Sequence, residues 1–307
     1  RRLVSDNLSL FLISDCSAKR TELFPTYSYL CNLLLIQEIV KKRKPDQIVF
    51  VNATPEWLPA LNSICGDIPV VVQKRRGALL PGVRRLISDL RFLSQVLIIA
   101  LVNHANRRGR KQPEAIRKRM YFSIYPKMID HQGSDTKYRQ SVASPEDLAV
   151  SILTDGFHQR VPLNQYFRLR KEISGKGSWV IDDCLRVTDF FSGVYWTVMT
   201  RLKICLLPKY YHFSGIDLSG WMRNEIKCSA SRLARFMALK ACFDRFFEQV
   251  NTHEFVYYLH EYPLGRLISW VLSAKHPVVE KIGFQHGPCA WRKMVYSLSK
   301  DEVAKSA

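Results

Sequence analysis

The sequence has no Cys-x-x-Cys pair, no Gly-x-Ser-x-Gly elbow and no Walker-type phosphate loop. Those absences argue against zinc-ribbon and thioredoxin-type chemistry, α/β-hydrolase nucleophiles and P-loop nucleotide hydrolysis. The eight His are dispersed and Asp182-Asp183 is a lone acidic pair, so no metal site and no resident cofactor are expected. The apolar run Val96–Val102 spans seven residues, far short of the ~20 that a membrane-crossing helix needs. The opening RRLVSDNLSLFLISD has too short an apolar core for a secretory signal. Eight cysteines (16, 31, 65, 184, 205, 228, 242 and 289) sit scattered in apolar segments. They read as free thiols in a reducing compartment, which predicts a cytoplasmic protein.

What is present is a globular composition: 307 residues, 47% apolar and 24% charged. Such a chain can bury a large core without disulfides or metals. Acids are scarce, with 27 Asp+Glu against 46 Lys+Arg and a net charge of +19. The excess is concentrated. Residues 74–119 hold thirteen Lys/Arg and two acids, Asp89 and Glu114, so this window alone carries +11.

Between the basic ends of that window, Val83, Leu86, Ile87, Leu90, Leu93 and Leu97 recur at three- and four-residue spacing, the signature of one helical face. Arg84, Arg85 and Arg91 fall largely off that face, and Arg107 and Arg108 follow it. A basic helix with an apolar side suits an anionic membrane surface, here the inner face of the cytoplasmic membrane. A core-packed helix with a solvated basic side fits the same pattern. Nucleic acid is a third reading, disfavoured because no helix-turn-helix, zinc-finger or RNP pattern is present and few aromatics lie among these arginines.

The rest alternates between strands and helices. Apolar runs at 8–14, 47–52 and 68–73 read as strands, with helices at 25–42 and after Thr54-Pro55-Glu56. Two more strands are expected at 120–125 and 148–154, and two at 254–259 and 279–284 around a helix at 264–274. Residues 161–250 read as mostly helical, with a loop at 212–220. The expectation is an α/β protein: one Rossmann-like domain over 1–307, its parallel sheet covered by helices on both faces, with a basic amphipathic helical insert at 78–119.

In open α/β sheets ligands sit beyond the carboxyl ends of the strands. Polar residues that follow strands are therefore the candidates: Asp15, Asn52 with Glu56, Asp155-Gly156, His260-Glu261 and Gln285-His286-Gly287. Asp155-Gly156 also fits an ordinary turn. Glu261 also fits an ion-paired surface carboxylate, and His286 a turn-capping histidine.

The segment FVYYLHEYPLGRLISWVLSAKHPVVEKIGFQHGPCAW is the most distinctive. A strand ending in His260-Glu261 leads through a helix to a second strand ending in Gly283-Phe284-Gln285-His286-Gly287. This resembles the N-terminal domain of bacterial surface-carbohydrate (lipopolysaccharide or capsule) biosynthesis proteins of the GT-B glycosyltransferase type. The loop HFSGIDLSG and the basic helical insert are similar to that family too. The resemblance spans about residues 120–295.

It implies a glycosyltransferase, or its N-terminal part, that moves a sugar from a nucleotide-sugar to a lipid-linked or glycan acceptor. Independently of the resemblance, a carboxylate or imidazole near the attacking hydroxyl would take its proton. Glu261 is then the candidate base, and His286 shares that role or binds a donor phosphate. Gly287 lets the backbone approach a ligand, and Arg266, Arg292 and Lys293 are placed to neutralise phosphate. No second set of strands follows His286, so the donor-binding half is expected to be absent or supplied by another chain. A non-catalytic, membrane-associated scaffold is the alternative reading.

Overall fold

Runs of Val, Ile, Phe and Tyr make the strands of this protein, as their propensities favour, and longer segments with apolar residues at three- and four-residue spacing make its helices. The computed structural model describes residues 4–5, 8–9, 26–54, 56–74, 81–106, 117–136, 138, 148–154, 161–258 and 263–284.

A short antiparallel pair, β1 (Val4–Ser5) and β2 (Leu8–Ser9), comes first. Then follow α1 (Thr26–Arg43), β3 (Ile48–Ala53), α2 (Trp57–Cys65), β4 (Val70–Lys74) and α3 (Pro81–Asn106). The next elements are β5 (Arg117–Ser123), β6 (Leu148–Val150), α4 (Leu163–Gly175), β7 (Trp179–Val180) and α5 (Val187–Ile204). A hairpin of β8 (His212–Phe213) and β9 (Ile216–Asp217) occupies the expected loop at 212–220. The chain continues through α6 (Ser219–Gln249), β10 (Thr252–Tyr258), α7 (Pro263–Lys275) and β11 (Glu280–Phe284).

Five parallel strands form the main sheet in the order β11-β10-β5-β6-β7. The chain winds outward from β5 to β7, crosses back through α5 and α6, and winds the other way through β10 and β11. The reversal lies between β5 and β10. Both faces of these two strands are covered. Phe122 meets Phe243 of α6, Phe255 meets Phe247 of α6, and the Tyr257 hydroxyl meets Ser269 of α7 at 2.5 Å. On the other face Tyr121 and Tyr258 pack on Tyr138. The sequence predicts an α/β protein with a parallel sheet packed on helices, and that is what forms; the residue that covers Tyr121 and Tyr258 here, Tyr138, lies in a turn and not in a helix.

Three expectations are corrected. The strands at 47–52 and 68–73 do not join the main sheet: among the described residues β3 and β4 pair only with each other. Their inward side chains, Phe50, Val70 and Val72, pack on a separate cluster of Leu33, Trp57, Leu61 and Trp221. Val49, Val51 and Val71 on the opposite face are exposed. The run at 8–14 is described only at Leu8–Ser9, where it pairs antiparallel with β1.

The insert at 78–119 is one helix, α3, ending at Asn106, while Arg117, Lys118 and Arg119 already belong to β5. Arg119 pairs with Glu254 of the neighbouring strand. The face the spacing singled out is divided between core and solvent. Phe92, Leu93, Val96, Ile99 and Ala100 enter the core, whereas Val83, Leu86, Ile87 and Leu90 are 44–56% exposed. The cause is that α3 has apolar side chains on two faces, and the core takes the one bearing Phe92, Val96 and Ile99. As a whole helix, Gly82–Asn106 is long and apolar enough to cross a membrane, but one side of its second half, Phe92, Leu93, Val96, Ile99 and Ala100, is packed into this core.

Candidate functional site

The carboxyl edge of the main sheet gathers the buried polar groups. At the end of β5, Ser123 Oγ donates to Asp135, and the Tyr258 hydroxyl at the end of β10 donates to Asp135 Oδ2 at 2.7 Å. The Tyr138 hydroxyl donates to the Phe122 carbonyl at 2.6 Å, and its ring stacks on Tyr258 with centroids 4.9 Å apart. Burial, with Tyr138 and Asp135 alongside, holds the Tyr258 phenol far above its ordinary range, so it stays a proton donor. These residues stand where the winding direction reverses, the place where open α/β sheets bind ligands.

One strand further out, Asp182 anchors the end of β6. Its Oδ1 accepts from Ser151 Oγ at 2.7 Å, and its Oδ2 accepts from the Ile152 and Leu153 N–H groups at 2.7 and 3.0 Å. Desolvation raises its pKa from the usual carboxylate range to about 6, although all three hydrogen bonds oppose that rise. Asp182 thereby fixes the backbone turn of residues 151–153.

That turn walls a cavity of about 330 Å³ between α3, α6 and the end of β6. Such a volume is the size of a small-ligand pocket, about 300–1,000 Å³. Its walls carry Arg85 and Arg91 from α3, Arg232 and Arg235 from α6, and one carboxylate, Asp89. Asp89 is buried and accepts from Arg201 Nη2 at 2.9 Å, Ser231 Oγ at 2.8 Å and Arg235 Nη2 at 3.3 Å. Arg235 also donates to Ser88 Oγ at 2.6 Å and lies over the Phe92 ring, 5.3 Å from its centroid. Arg85 Nη1 donates to Asn224 Oδ1 at 2.8 Å. Gln95 closes one side by donating to the Val161 carbonyl at 3.0 Å. Arg91 has no ion pair among the described residues and is exposed at the mouth. Four guanidinium groups and one carboxylate give the described wall of this cavity a net positive charge.

The helices give the cavity its register. Arg85 and Asp89 on α3 and Asn224, Ser231 and Arg235 on α6 contact one another in parallel order, so both helices run the same way and begin side by side. A second, more open basin of about 630 Å³ lies at those beginnings. It contains Gly82, Arg85, Arg201, Gly220, Arg223 and Lys227, with Glu56 its one carboxylate. Gly220 is needed there because a Cβ would come within 2.9 Å of Glu56 Cβ.

Several sequence candidates lie outside the described residues: Asp15, Asp155, Gly156, Glu261, Gln285, His286, Gly287, Arg292, Lys293, Arg107 and Arg108. The strands that precede Glu261 and His286 do end side by side, with Tyr258 opposite Phe284. Arg266 is buried in the first turn of α7. Arg84 and Arg91 are exposed on α3, while Arg85 turns inward to both cavities. Sequence reasoning missed Arg232 and Arg235. Their only signal is an i, i+3 pair on a helix otherwise notable for buried phenylalanines. Among the described residues no group of three or more His, Cys, Asp or Glu could hold a metal ion.

Compared with known proteins, the chain matches no family model, no curated protein and no solved structure.

Proposed function

We propose that this chain is a GT-B-type glycosyltransferase, or the N-terminal part of one, in bacterial surface-polysaccharide assembly. Its donor is a nucleotide-sugar and its acceptor a lipid-linked or growing glycan at the inner face of the cytoplasmic membrane. The observation that carries the reading is the arginine-walled cavity at the carboxyl end of β6. A nucleotide-sugar presents two linked phosphates, and Arg85, Arg91, Arg232 and Arg235 are the groups that match them.

In the reaction the acceptor oxygen bonds to the anomeric carbon while the bond from that carbon to the diphosphate breaks. The acceptor proton passes to the Glu261 carboxylate, and His286 assists at the same edge or holds a phosphate oxygen. The leaving diphosphate gains negative charge, which the arginines stabilise more strongly than they stabilise the intact donor. Support for placing Glu261 and His286 together is that each follows one of two paired strand ends next to the sheet's reversal.

The surface-glycan profile of the source organism with this gene deleted tests the assignment. The expected result is a truncated glycan, restored by the wild-type gene but not by Glu261→Ala or His286→Ala. Restoration by both folded variants would remove the catalytic assignment and favour a scaffold. An unchanged profile on deletion would remove the pathway.

A further inference from the structure

We propose that α3 and α5 together form a face that lies on an anionic phospholipid bilayer, with the open basin at the start of α3 and α6 taking a lipid phosphate. This deepens the membrane side of the function proposed above. The face has two antiparallel halves: Asp89 of α3 meets Arg201 of α5, Leu93 meets Gly193, and Asn103 meets the Leu185 carbonyl. On α3, Val83, Ile87, Leu90, Ile98 and Leu101 point outward. On α5, Phe191, Tyr195, Val198 and Leu202 do the same at helical spacing, 51–63% exposed, and Leu206 continues the line. So large an exposed apolar stripe on two adjacent helices marks an interaction surface.

Charge selects the occupant. The acids on these two helices are Asp89 and Asp189, and both are buried in arginine pairs. The outward surface of the pair therefore presents cations and no unpaired acid of its own, with Arg84 and Arg91 along one flank, Arg201 and Lys203 on α5, and Ser94 among the apolar residues. A second copy docking here would bring the same cations together and repel. Nucleic acid would meet the arginines but leave the apolar stripe in water. An anionic bilayer satisfies both at once.

The basin ties the face to a headgroup. Val83 belongs both to the stripe and to the basin wall, where exposed Leu86 joins it; the wall's cations are Arg85, Arg201, Arg223 and Lys227, against one carboxylate, Glu56. Acyl chains along the stripe thus place their phosphate among four cations.

The test is co-sedimentation of the full chain with vesicles of phosphatidylcholine alone and of equimolar phosphatidylcholine and phosphatidylglycerol. The wild type is expected to pellet with the second and not the first. Arg223→Ala/Lys227→Ala is expected to bind the anionic vesicles about 25-fold more weakly, roughly fivefold per cation. Phe191→Ser/Leu202→Ser is expected to lose most pelleting. Lys41→Ala/Lys42→Ala, on the exposed end of α1, removes the same charge elsewhere and is expected to change affinity less than twofold. Equal weakening by the α1 and basin variants would overturn the basin. Wild-type pelleting by Phe191→Ser/Leu202→Ser would overturn the face. A lipid-free dimer that this variant splits would assign the face to a second copy. Nucleotide-sugar binding, measured on the same proteins without vesicles, reports separately on the glycosyltransferase reading.

Discussion

Asp182 offers the sharpest quantitative check on the architecture of the cavity wall. Its carboxyl is buried, accepts three hydrogen bonds from residues 151–153, and has its pKa raised from 3.8 to about 6. A folded-state pKa above the unfolded one means the folded protein holds the proton more tightly. This contribution to stability is full below about pH 3.8 and is lost as pH rises through about 6. A shift of about two units corresponds to about 3 kcal/mol. In Asp182→Asn the side-chain oxygen can face the two N–H groups and its amide can donate to Ser151, so the wall is kept without a titrating group. The stability of Asp182→Asn minus that of the wild type should therefore rise by about 2.4 kcal/mol between pH 4 and pH 7, the remainder having been lost already below pH 4. Urea unfolding of both proteins across that range measures it, and the difference cancels every other titrating group. A difference that stays flat with pH would refute the reasoning. Asp182→Ala behaves otherwise: it strands three buried donors, at about 1–3 kcal/mol each, and is destabilised at every pH.

Other substitutions probe separate parts of the packing. The Tyr166 hydroxyl is buried without a hydrogen-bond partner among the described residues, so Tyr166→Phe should stabilise the protein by about 1 kcal/mol in urea unfolding, and destabilisation would show a bonded hydroxyl. Gly193→Ala would put a Cβ 2.7 Å from Leu93 and 3.1 Å from Ala238. Overpacking at this meeting of α3, α5 and α6 should cost about 1–3 kcal/mol despite better helix propensity, and an unchanged melting temperature would mean that Leu93 gives way. Asp89→Ala removes a buried carboxylate that Arg201 and Arg235 share and that accepts from Ser231. A loss of about 3–5 kcal/mol is expected, and a loss under 1 kcal/mol would mean the pair is not a structural one.

Most of the architecture is legible in the sequence for a simple reason. The strands at 120–125, 148–154, 254–259 and 279–284 are short apolar runs of the kind buried on both faces, and their partners follow from parallel winding. All four appear, each displaced or shortened by a few residues. The basic residues at the C-terminus of the 25–42 helix are likewise in its last turn. What failed was long-range allocation. Nothing local in IVFVNA or VVVQK tells them to pack on Trp57 and Trp221 instead of joining the main sheet. Periodicity also could not choose between the two apolar faces of α3, because that choice is made by α5 and α6. The arginine cavity was hidden for the same reason: Arg85 and Arg91 sit 141 or more residues before Arg232 and Arg235, and only the parallel pairing of α3 with α6 brings them together.

The central claim is that this cavity binds a diphosphate, and calorimetric titration with inorganic pyrophosphate and with a panel of nucleotide-sugars tests it most directly. The account predicts saturable binding that weakens at least tenfold in Arg91→Ala/Arg232→Ala, which removes one arginine from each of the two helices that wall the cavity. Affinity for one nucleotide-sugar should exceed that for pyrophosphate. No binding by the folded wild type, or equal affinity in the double variant, would contradict it.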